Sequence, residues 1–198
     1  MALGQKKKST FITISKGKLN VWDGNTNTEH EYVSGHLTNI DFNTRPQTAN
    51  QQYPNHEDIR LHMTDGDDSY IVTCTAKTGA GRGIMKQLPN FDPSVPFEIN
   101  LSYEAEFKAT TVFLSQNGSA LKWFWKAADP KEMPPGVKYV DPQTNKEMTQ
   151  YNDQTEYLKN YVLAHVKPKL SPAPEAESHE EPADEFSGSS KFEDGPPF

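Results

Sequence analysis

Apolar and polar residues alternate along most of the first 126 positions, and this period of two predicts β-strands. Between Asp58 and Thr64, for example, Ile59, Leu61 and Met63 fall on one face. The segments with this pattern are 10–21, 31–33, 36–42, 58–64, 69–77, 97–107, 110–116 and 119–126. The chain is therefore predicted to be mainly β.

Turn residues divide these segments into hairpins. Asn117-Gly118 is a dipeptide that closes a two-residue hairpin, and the run Asp65-Gly66-Asp67-Asp68 closes another. Gly17 lies inside the first segment, where it predicts a bend or bulge that lets one strand serve two sides of a small barrel. The expected architecture is a small barrel with long hairpins.

Two segments have a helical pattern instead. One helical turn is predicted at 84–88, in the middle of the chain. A second helix is predicted from Asp153, which can cap it, to about Val166, and it is expected to pack against the β body. The stretches 43–57 and 129–150 lack periodicity and are predicted to be loops.

The last segment, 171–198, differs in composition from the rest. It is rich in Pro, Asp and Glu and has no aliphatic residue larger than Ala, so it cannot offset the entropy of ordering itself. It holds eight acidic residues and one base, Lys191. We therefore expect a single domain over 1–170 followed by a disordered acidic tail.

The charge balance differs between these two parts. The whole chain has 20 Lys and Arg against 27 Asp and Glu, a net charge of −7. Without the tail, 19 bases (20 minus 1) face 19 acids (27 minus 8), so the body is neutral. A neutral body can gather its bases on one face, so the acidic total does not exclude a nucleic-acid partner.

The remaining composition narrows the class of protein. The one cysteine, Cys74, excludes an internal disulfide framework and favours a reducing compartment. The N-terminus lacks a signal peptide's apolar stretch, and no segment approaches the ~20 apolar residues of a membrane span. The scattered histidines and the absence of HExxH, GxSxG or CxxC predict no enzyme, metal site or cofactor. We expect a cytoplasmic protein without membrane contact.

Aromatic residues beside cations are the candidate nucleic-acid contacts. Lys18 and Trp22 are predicted to point away from Leu19 and Val21, so Trp22 is either a base-stacking residue or part of the core. In the segment 119–126, an aromatic ring between two lysines forms a candidate stacking platform. Its members are Lys122, Phe124 and Lys126. The opposite face would hold Leu121, Trp123 and Trp125, with at least one tryptophan in the core.

A glycine-rich segment, 78–83, precedes the predicted helical turn. It lacks the Gly-Lys-Ser/Thr of a nucleotide-binding loop. As a loop it would let the backbone approach a phosphate, with Arg82 and Lys86 nearby to neutralise charge. These two cations complete the candidate site.

The tail ends in Asp194-Gly195-Pro196-Pro197-Phe198. An acidic run with a terminal Phe resembles the C-terminal tail of bacterial and bacteriophage single-stranded DNA-binding proteins. The body is similar to the phage members of that group over residues 9–126. The shared order is VSGHLTNIDF, two strands, a Gly-Arg-Gly segment before MKQLPNFD, and a long hairpin.

This resemblance implies an OB fold, a five-stranded Greek-key barrel, over residues 1–170. It implies a protein that coats and protects single-stranded DNA in replication, recombination or repair, in the host cytoplasm if a phage encodes it. The expected DNA contacts are Lys18, Trp22, Arg82, Lys86, Lys122, Phe124 and Lys126. The tail would dock partner proteins through Asp194, Pro196, Pro197 and Phe198, and would compete with DNA.

Other readings of the sequence stay open. The alternative function is a β-rich phage structural or assembly protein whose acidic tail, 171–198, is a solubiliser. The sequence also leaves open whether the protein is a homo-oligomer. The side chains alone do not separate DNA from RNA as the ligand.

Overall fold

The computed structural model describes residues 9–22, 24–45, 56–125 and 133–170. About half of the described residues are in strands and two α-helices are present among them, so the predicted mainly-β class is confirmed. Lys126 and the tail 171–198 lie outside the described residues. The predictions made for them therefore stay predictions.

Eleven strands and two helices follow one another in the described parts of the chain. The strands are β1 Thr10–Ser15, β2 Lys18–Trp22, β3 Asn27–His30, β4 Tyr32–Arg45, β5 His56–Asp65, β6 Asp68–Thr75, β7 Phe97–Glu104, β8 Ala109–Gln116, β9 Ser119–Ala120, β10 Val137–Val140 and β11 Glu147–Gln150. The helices are α1 Gly79–Gln87 and α2 Asn152–Tyr161. A π-helical turn over Val162–Val166 extends α2.

Nine of these strands form one curled, open sheet that resembles half of a barrel. Their order is β3-β2-β1-β6-β5-β4-β7-β8-β9. Neighbours pair antiparallel except β1 and β6, which run parallel. The resemblance implied five strands in the barrel, whereas the sheet has nine, because β1, β2 and β3 extend it beyond β6 and β9 extends it beyond β8. β10 and β11 form a separate hairpin.

The strand that serves two sides of the sheet is β4. Its first part, 32–35, pairs with β7, and its second part, 36–45, pairs with β5. Gly35 lies at the change of partner, where a Cβ would be only 2.7 Å from the Thr64 carbonyl oxygen. The prediction that Gly17 bends a single strand is wrong, because Gly17 lies in the tight turn between β1 and β2.

The inward positions of the strands form the core. Ile59, Leu61 and Met63 are fully buried, as their alternation predicts. The turn at 65–68 and the Asn117-Gly118 turn are present as predicted. α1 packs across β8, and α2 packs on α1.

Helix α1 starts at Gly79, five residues before the helical turn that the sequence predicted at 84–88. The glycine-rich segment is therefore its first turn and not a phosphate-approaching loop. The Thr78 side chain accepts a hydrogen bond from the Gly81 N–H at 3.1 Å. A Cβ on Gly81 would lie 2.5 Å from the Thr75 carbonyl oxygen. Gly81 thus serves close packing of α1 on the end of β6.

Gln87 fixes α1 to the sheet. Its Nε2 donates to the Gly83 and Val112 carbonyl oxygens, each at 2.9 Å, and its Oε1 accepts from the Leu114 N–H at 2.9 Å. The bonds to Val112 and Leu114 are buried, and the bond to Gly83 is partly buried. The position of α1 relative to β8 is therefore set by directional bonds as well as apolar packing.

The C-terminal part differs in two details from the prediction. Asp153 lies in the first turn of α2 and not at its N-cap, which is Tyr151. The predicted loop 129–150 contains the β10–β11 hairpin over its described part. Lys159 joins α2 to β5, with its Nζ 2.6 Å from Glu57 Oε1. No helix in the described residues is both long and apolar enough to span a bilayer.

Candidate nucleic-acid interface

Two aromatic rings stand on the outward side of the sheet. Ile12 of β1 pairs with Val21 of β2 and both point inward, so the residues just beyond this pair, Phe11 and Trp22, point outward on neighbouring strands. Phe11 is 59% exposed and Trp22 is 62% exposed. Trp22 is therefore not part of the core, and its role in base stacking stays a prediction.

Cations share this outward side. Lys18 lies four residues before Trp22 on β2, so the two side chains point to the same face, and Lys18 is half-buried. Arg60 of β5 points to the same side as Thr13 of β1. Thr13 pairs with Thr73 of β6, Thr73 pairs with Arg60, and paired residues of neighbouring strands share a face. We call the outward side of β1, β2, β5 and β6 the sheet face. It combines two free rings with two cations.

The sheet face also carries polar residues. Asp41 of β4 pairs with Arg60, and its Oδ2 is 2.6 Å from the Nε2 of His62. The Asn20 side chain donates to the backbone oxygen of Lys18 at 3.1 Å. Asp41 thus borders the sheet face beyond Arg60, on the side away from the two rings, and Asn20 lies between Lys18 and Trp22 on β2.

A second surface forms where α1 meets the segment after β9 and the start of α2. We call it the helix patch, and its members are Arg82, Lys86, Trp123, Phe124 and Tyr151. The Arg82 guanidinium lies 4.1 Å from the Tyr151 ring centroid, and Lys86 Nζ lies 4.9 Å from the Trp123 ring centroid. Both are cation–π contacts. The Phe124 N–H donates to the Lys86 carbonyl oxygen at 2.8 Å, which ties the segment to α1.

The two cations of the helix patch are partly withdrawn from water. Burial lowers the pKa of Arg82, and burial followed by the neighbouring Arg82 charge lowers the pKa of Lys86. Within the described ranges, neither side chain forms an ion pair with a carboxylate. An anion that binds here would therefore meet two cations, Arg82 and Lys86, that have already lost part of their hydration.

The segment after β9 corrects one prediction. The strand ends at Ala120, and Leu121, Trp123 and Trp125 do not share a face. Trp123 is 53% exposed, whereas Trp125 is 6% exposed and packs on Tyr161 at a ring-centroid distance of 4.9 Å. One tryptophan is thus core, as expected.

The physical reason is that, in the described part of this segment, only the Leu121 N–H still bonds to β8, at the Leu114 carbonyl oxygen, and the residues after it bond to α1 and to the turn after α1. The Phe124 N–H bonds to Lys86 at the end of α1. The Asn90 side chain donates to the Lys122 carbonyl oxygen at 2.9 Å. Alternation of apolar residues therefore persists in the sequence where no strand ladder exists.

The predicted contacts fall into two groups. Lys18 and Trp22 lie on the sheet face, whereas Arg82, Lys86 and Phe124 lie together in the helix patch. Lys122 is exposed immediately before Trp123. Lys126, Asp194, Pro196, Pro197 and Phe198 lie outside the described residues.

Phe11, Arg60, Trp123 and Tyr151 were not predicted to be nucleic-acid contacts. Phe11 and Arg60 could have been found, since each is the outward member of an alternating strand. Trp123 and Tyr151 carried no such signal, because their exposure depends on how α1 and α2 pack.

No family model, curated protein or solved structure matches this chain. The function is therefore argued from the two surfaces themselves.

Proposed function

We propose that the protein binds single-stranded DNA without strong sequence preference and coats it during replication, recombination or repair. The observation that carries this proposal is the pair of exposed rings, Phe11 and Trp22, beside Lys18 and Arg60 on the sheet face. Base stacking on such rings contributes about 1–3 kcal/mol per base, and nearby cations meet the phosphates.

The preference for single strands follows from the same surface. A ring can stack on a base only where the face of the base is free, and in a duplex neighbouring bases already cover those faces. The sheet face offers rings and cations and few groups arranged to read base edges. Binding is therefore tolerant of sequence and falls with added salt.

The strand order supports an OB-type arrangement. β4 to β8 pair in the order β6-β5-β4-β7-β8, β4 pairs on both of its sides, and α1 connects β6 to β7. OB folds bind oligonucleotides on the face of their second and third strands. In this chain those strands would be β5 and β6, and β1 and β2 extend that face with Phe11 and Trp22.

The acidic tail, 171–198, has two roles in this proposal. Its eight acids and single Lys191 would compete with DNA for the cationic surfaces, and its terminal Phe198 would dock partner proteins of replication or recombination. The protein would work in the cytoplasm, that of the host if a phage encodes it.

The test is fluorescence anisotropy of labelled oligo-dT, a matching duplex and an RNA oligomer with the full-length protein, across a salt series. We expect salt-sensitive binding with oligo-dT well ahead of the duplex, with a log-log slope near −0.7 per phosphate contact. Absence of binding to all three at low salt would overturn the proposal. Comparison with the RNA oligomer decides whether the ligand includes RNA.

A second candidate is a structural or assembly protein. The β10–β11 hairpin favours it, because Val137, Tyr139, Val140 and Met148 are all exposed there. A lone two-stranded hairpin is marginally stable in water, so contact with another chain would stabilise it. This candidate predicts oligomers in sedimentation velocity and equal, weak binding of single strands and duplex.

A further inference from the structure

The curl of the sheet brings two of its turns together beside the start of α1. The β1–β2 turn contains Lys16 and Gly17, and the Gly17 N–H donates to Thr110 Oγ1 at the start of β8, at 3.1 Å. The junction encloses a cavity of about 260 Å³, which we call the seam cavity. Thr78 and Gly79, where α1 begins, line it as well.

The lining of the seam cavity suits an anion. Lys16 of the β1–β2 turn and Lys108 of the β7–β8 turn both line it, so two basic residues from distant parts of the chain border one space. None of its lining residues, all of them in the described part of the chain, is Asp or Glu. Asp58, which does not line the cavity, accepts a hydrogen bond from the Thr75 hydroxyl at 3.1 Å. Burial raises the pKa of the Cys74 thiol to about 12, so this part of the wall is neutral at pH 7.

The seam cavity is connected through the chain to both surfaces described above. Lys18 of the sheet face directly follows the β1–β2 turn, and Arg82 of the helix patch lies one helical turn beyond Thr78. The elements that border the cavity therefore lead to both surfaces. The cations on these elements are Lys18, Lys16, Lys108, Arg82 and Lys86.

The distances fit one bound strand. β2 places Trp22 about 13 Å from Lys18, and α1 places Lys86 about 10 Å from Gly79. With the cavity between them, the line is long enough for several nucleotides and stays within the 4–16 nucleotides that single OB folds cover.

We propose that the seam cavity holds a backbone phosphate of a single strand that runs from the sheet face to the helix patch. The two surfaces are then the ends of one continuous site, and Lys16 and Lys108 are phosphate-binding residues in its middle. This inference rests on the proposed single-strand binding. The inference adds to that function a path for the bound strand, a dependence of affinity on oligonucleotide length, and two phosphate-binding residues, Lys16 and Lys108.

The experiment compares Lys16→Gln/Lys108→Gln with the full-length wild type, using labelled oligo-dT of about 4, 8 and 12 nucleotides over a salt series. The matched control is Lys138→Gln/Lys146→Gln, which removes the same charge from the exposed β10–β11 hairpin. We expect the seam variant to lose affinity for the longer oligomers and to lower the salt slope by about 1.4, that is 0.7 for each lost contact. The shortest oligomer, which covers one surface only, should change little.

Stoichiometry gives a second readout. In Trp22→Phe, the remaining exposed tryptophan is Trp123, because Trp125 is buried. A continuous path predicts that Trp123 emission is quenched by the longest oligomer at one strand per protein. Saturation at two strands per protein would overturn the inference.

The failures of the two proposals are distinguishable. If the wild type binds none of the oligomers, single-strand binding itself fails. If the wild type binds the longer oligomers and the seam variant matches the control in affinity and salt slope, the seam inference fails and single-strand binding stands.

Discussion

The backbone N–H of Gly17 donates to the hydroxyl of Thr110 at 3.1 Å across 93 positions of sequence. This bond joins the turn between β1 and β2 to the start of β8, two places that are far apart in the strand order. Gly17 has a φ of 71°, and a Cβ on it would lie 2.3 Å from the Cβ of Tyr103. The closest approach between the two parts of the curled sheet therefore depends on a residue without a side chain.

Gly17→Ala should destabilise the protein by more than about 1 kcal/mol, because alanine at positive φ is strained and the added methyl meets Tyr103. Gly66→Ala is the matched control, since Gly66 has a φ of 54° and nothing within 4 Å of an added Cβ. The free energies of urea unfolding of the two variants separate the two causes. Gly66→Ala measures the backbone strain alone, and the additional loss in Gly17→Ala measures the clash with Tyr103. Equal losses would show that the contact with Tyr103 contributes nothing.

Trp22→Ala should weaken oligo-dT binding about 5- to 150-fold, which corresponds to the loss of about 1–3 kcal/mol of stacking. The free energy of unfolding should change little, since Trp22 lies mostly in solvent. Tyr139→Ala, at an exposed aromatic residue of the β10–β11 hairpin, is the control for loss of a surface ring. An affinity for oligo-dT equal to that of the control would remove Trp22 from the site.

Deletion of the tail, residues 171–198, should tighten DNA binding at low salt, because eight acidic residues no longer compete for the cationic surfaces. The gain should shrink as salt is added, since screening weakens the competition. Anisotropy titrations of the full-length and shortened proteins at two salt concentrations measure this. An unchanged low-salt affinity would contradict the competition.

The pairing of Lys159 with Glu57 predicts a pH dependence. The hydrogen bond to Glu57 raises the pKa of Lys159, although burial acts in the opposite direction. A raised folded-state pKa means that the pair stabilises fully below about pH 10.4, the unfolded value, and that this stabilisation is lost as pH rises through the folded-state pKa. The free energy of unfolding should therefore fall more steeply at alkaline pH in the wild type than in Lys159→Met.

Urea unfolding at pH 8 and pH 11 checks this prediction, with Lys138→Met as the control. Lys138 also lies 2.6 Å from a glutamate, Glu147, but that pair is exposed and contributes little. The control should follow the wild type. A Lys159→Met variant with the same pH profile as the wild type would show that the pair does not titrate with unfolding.

The sequence predicted what local periodicity determines. Ile59, Leu61 and Met63 are buried, and both tight hairpins are where their turn residues indicate. It did not predict the parallel pairing of β1 with β6, because contacts between strands distant in sequence leave no local pattern. The five strands that the resemblance implied leave out β1, β2, β3 and β9, which extend the row β6-β5-β4-β7-β8 at its two ends.

The candidate site residues show the same difference between features set by local periodicity and features set by contacts between distant parts of the chain. Trp22 and Lys18 point outward as predicted, because they are alternate members of a regular strand. The face proposed for Lys122 and Phe124 was wrong as a strand face, since Lys86 and Asn90 supply the hydrogen bonds that a neighbouring strand would have supplied. Gly81 suggested a loop, but its lack of a side chain serves helix packing.

The most direct test of single-strand binding by stacking is the intrinsic tryptophan emission of the full-length protein, titrated at low salt with unlabelled oligo-dT and then with a matching duplex. The exposed rings of Trp22 and Trp123 are the reporters, and Trp125 is shielded. We expect saturable quenching by oligo-dT that salt reverses, and much weaker quenching by the duplex. Unchanged emission with oligo-dT at low salt, or equal quenching by both, would contradict the proposed function.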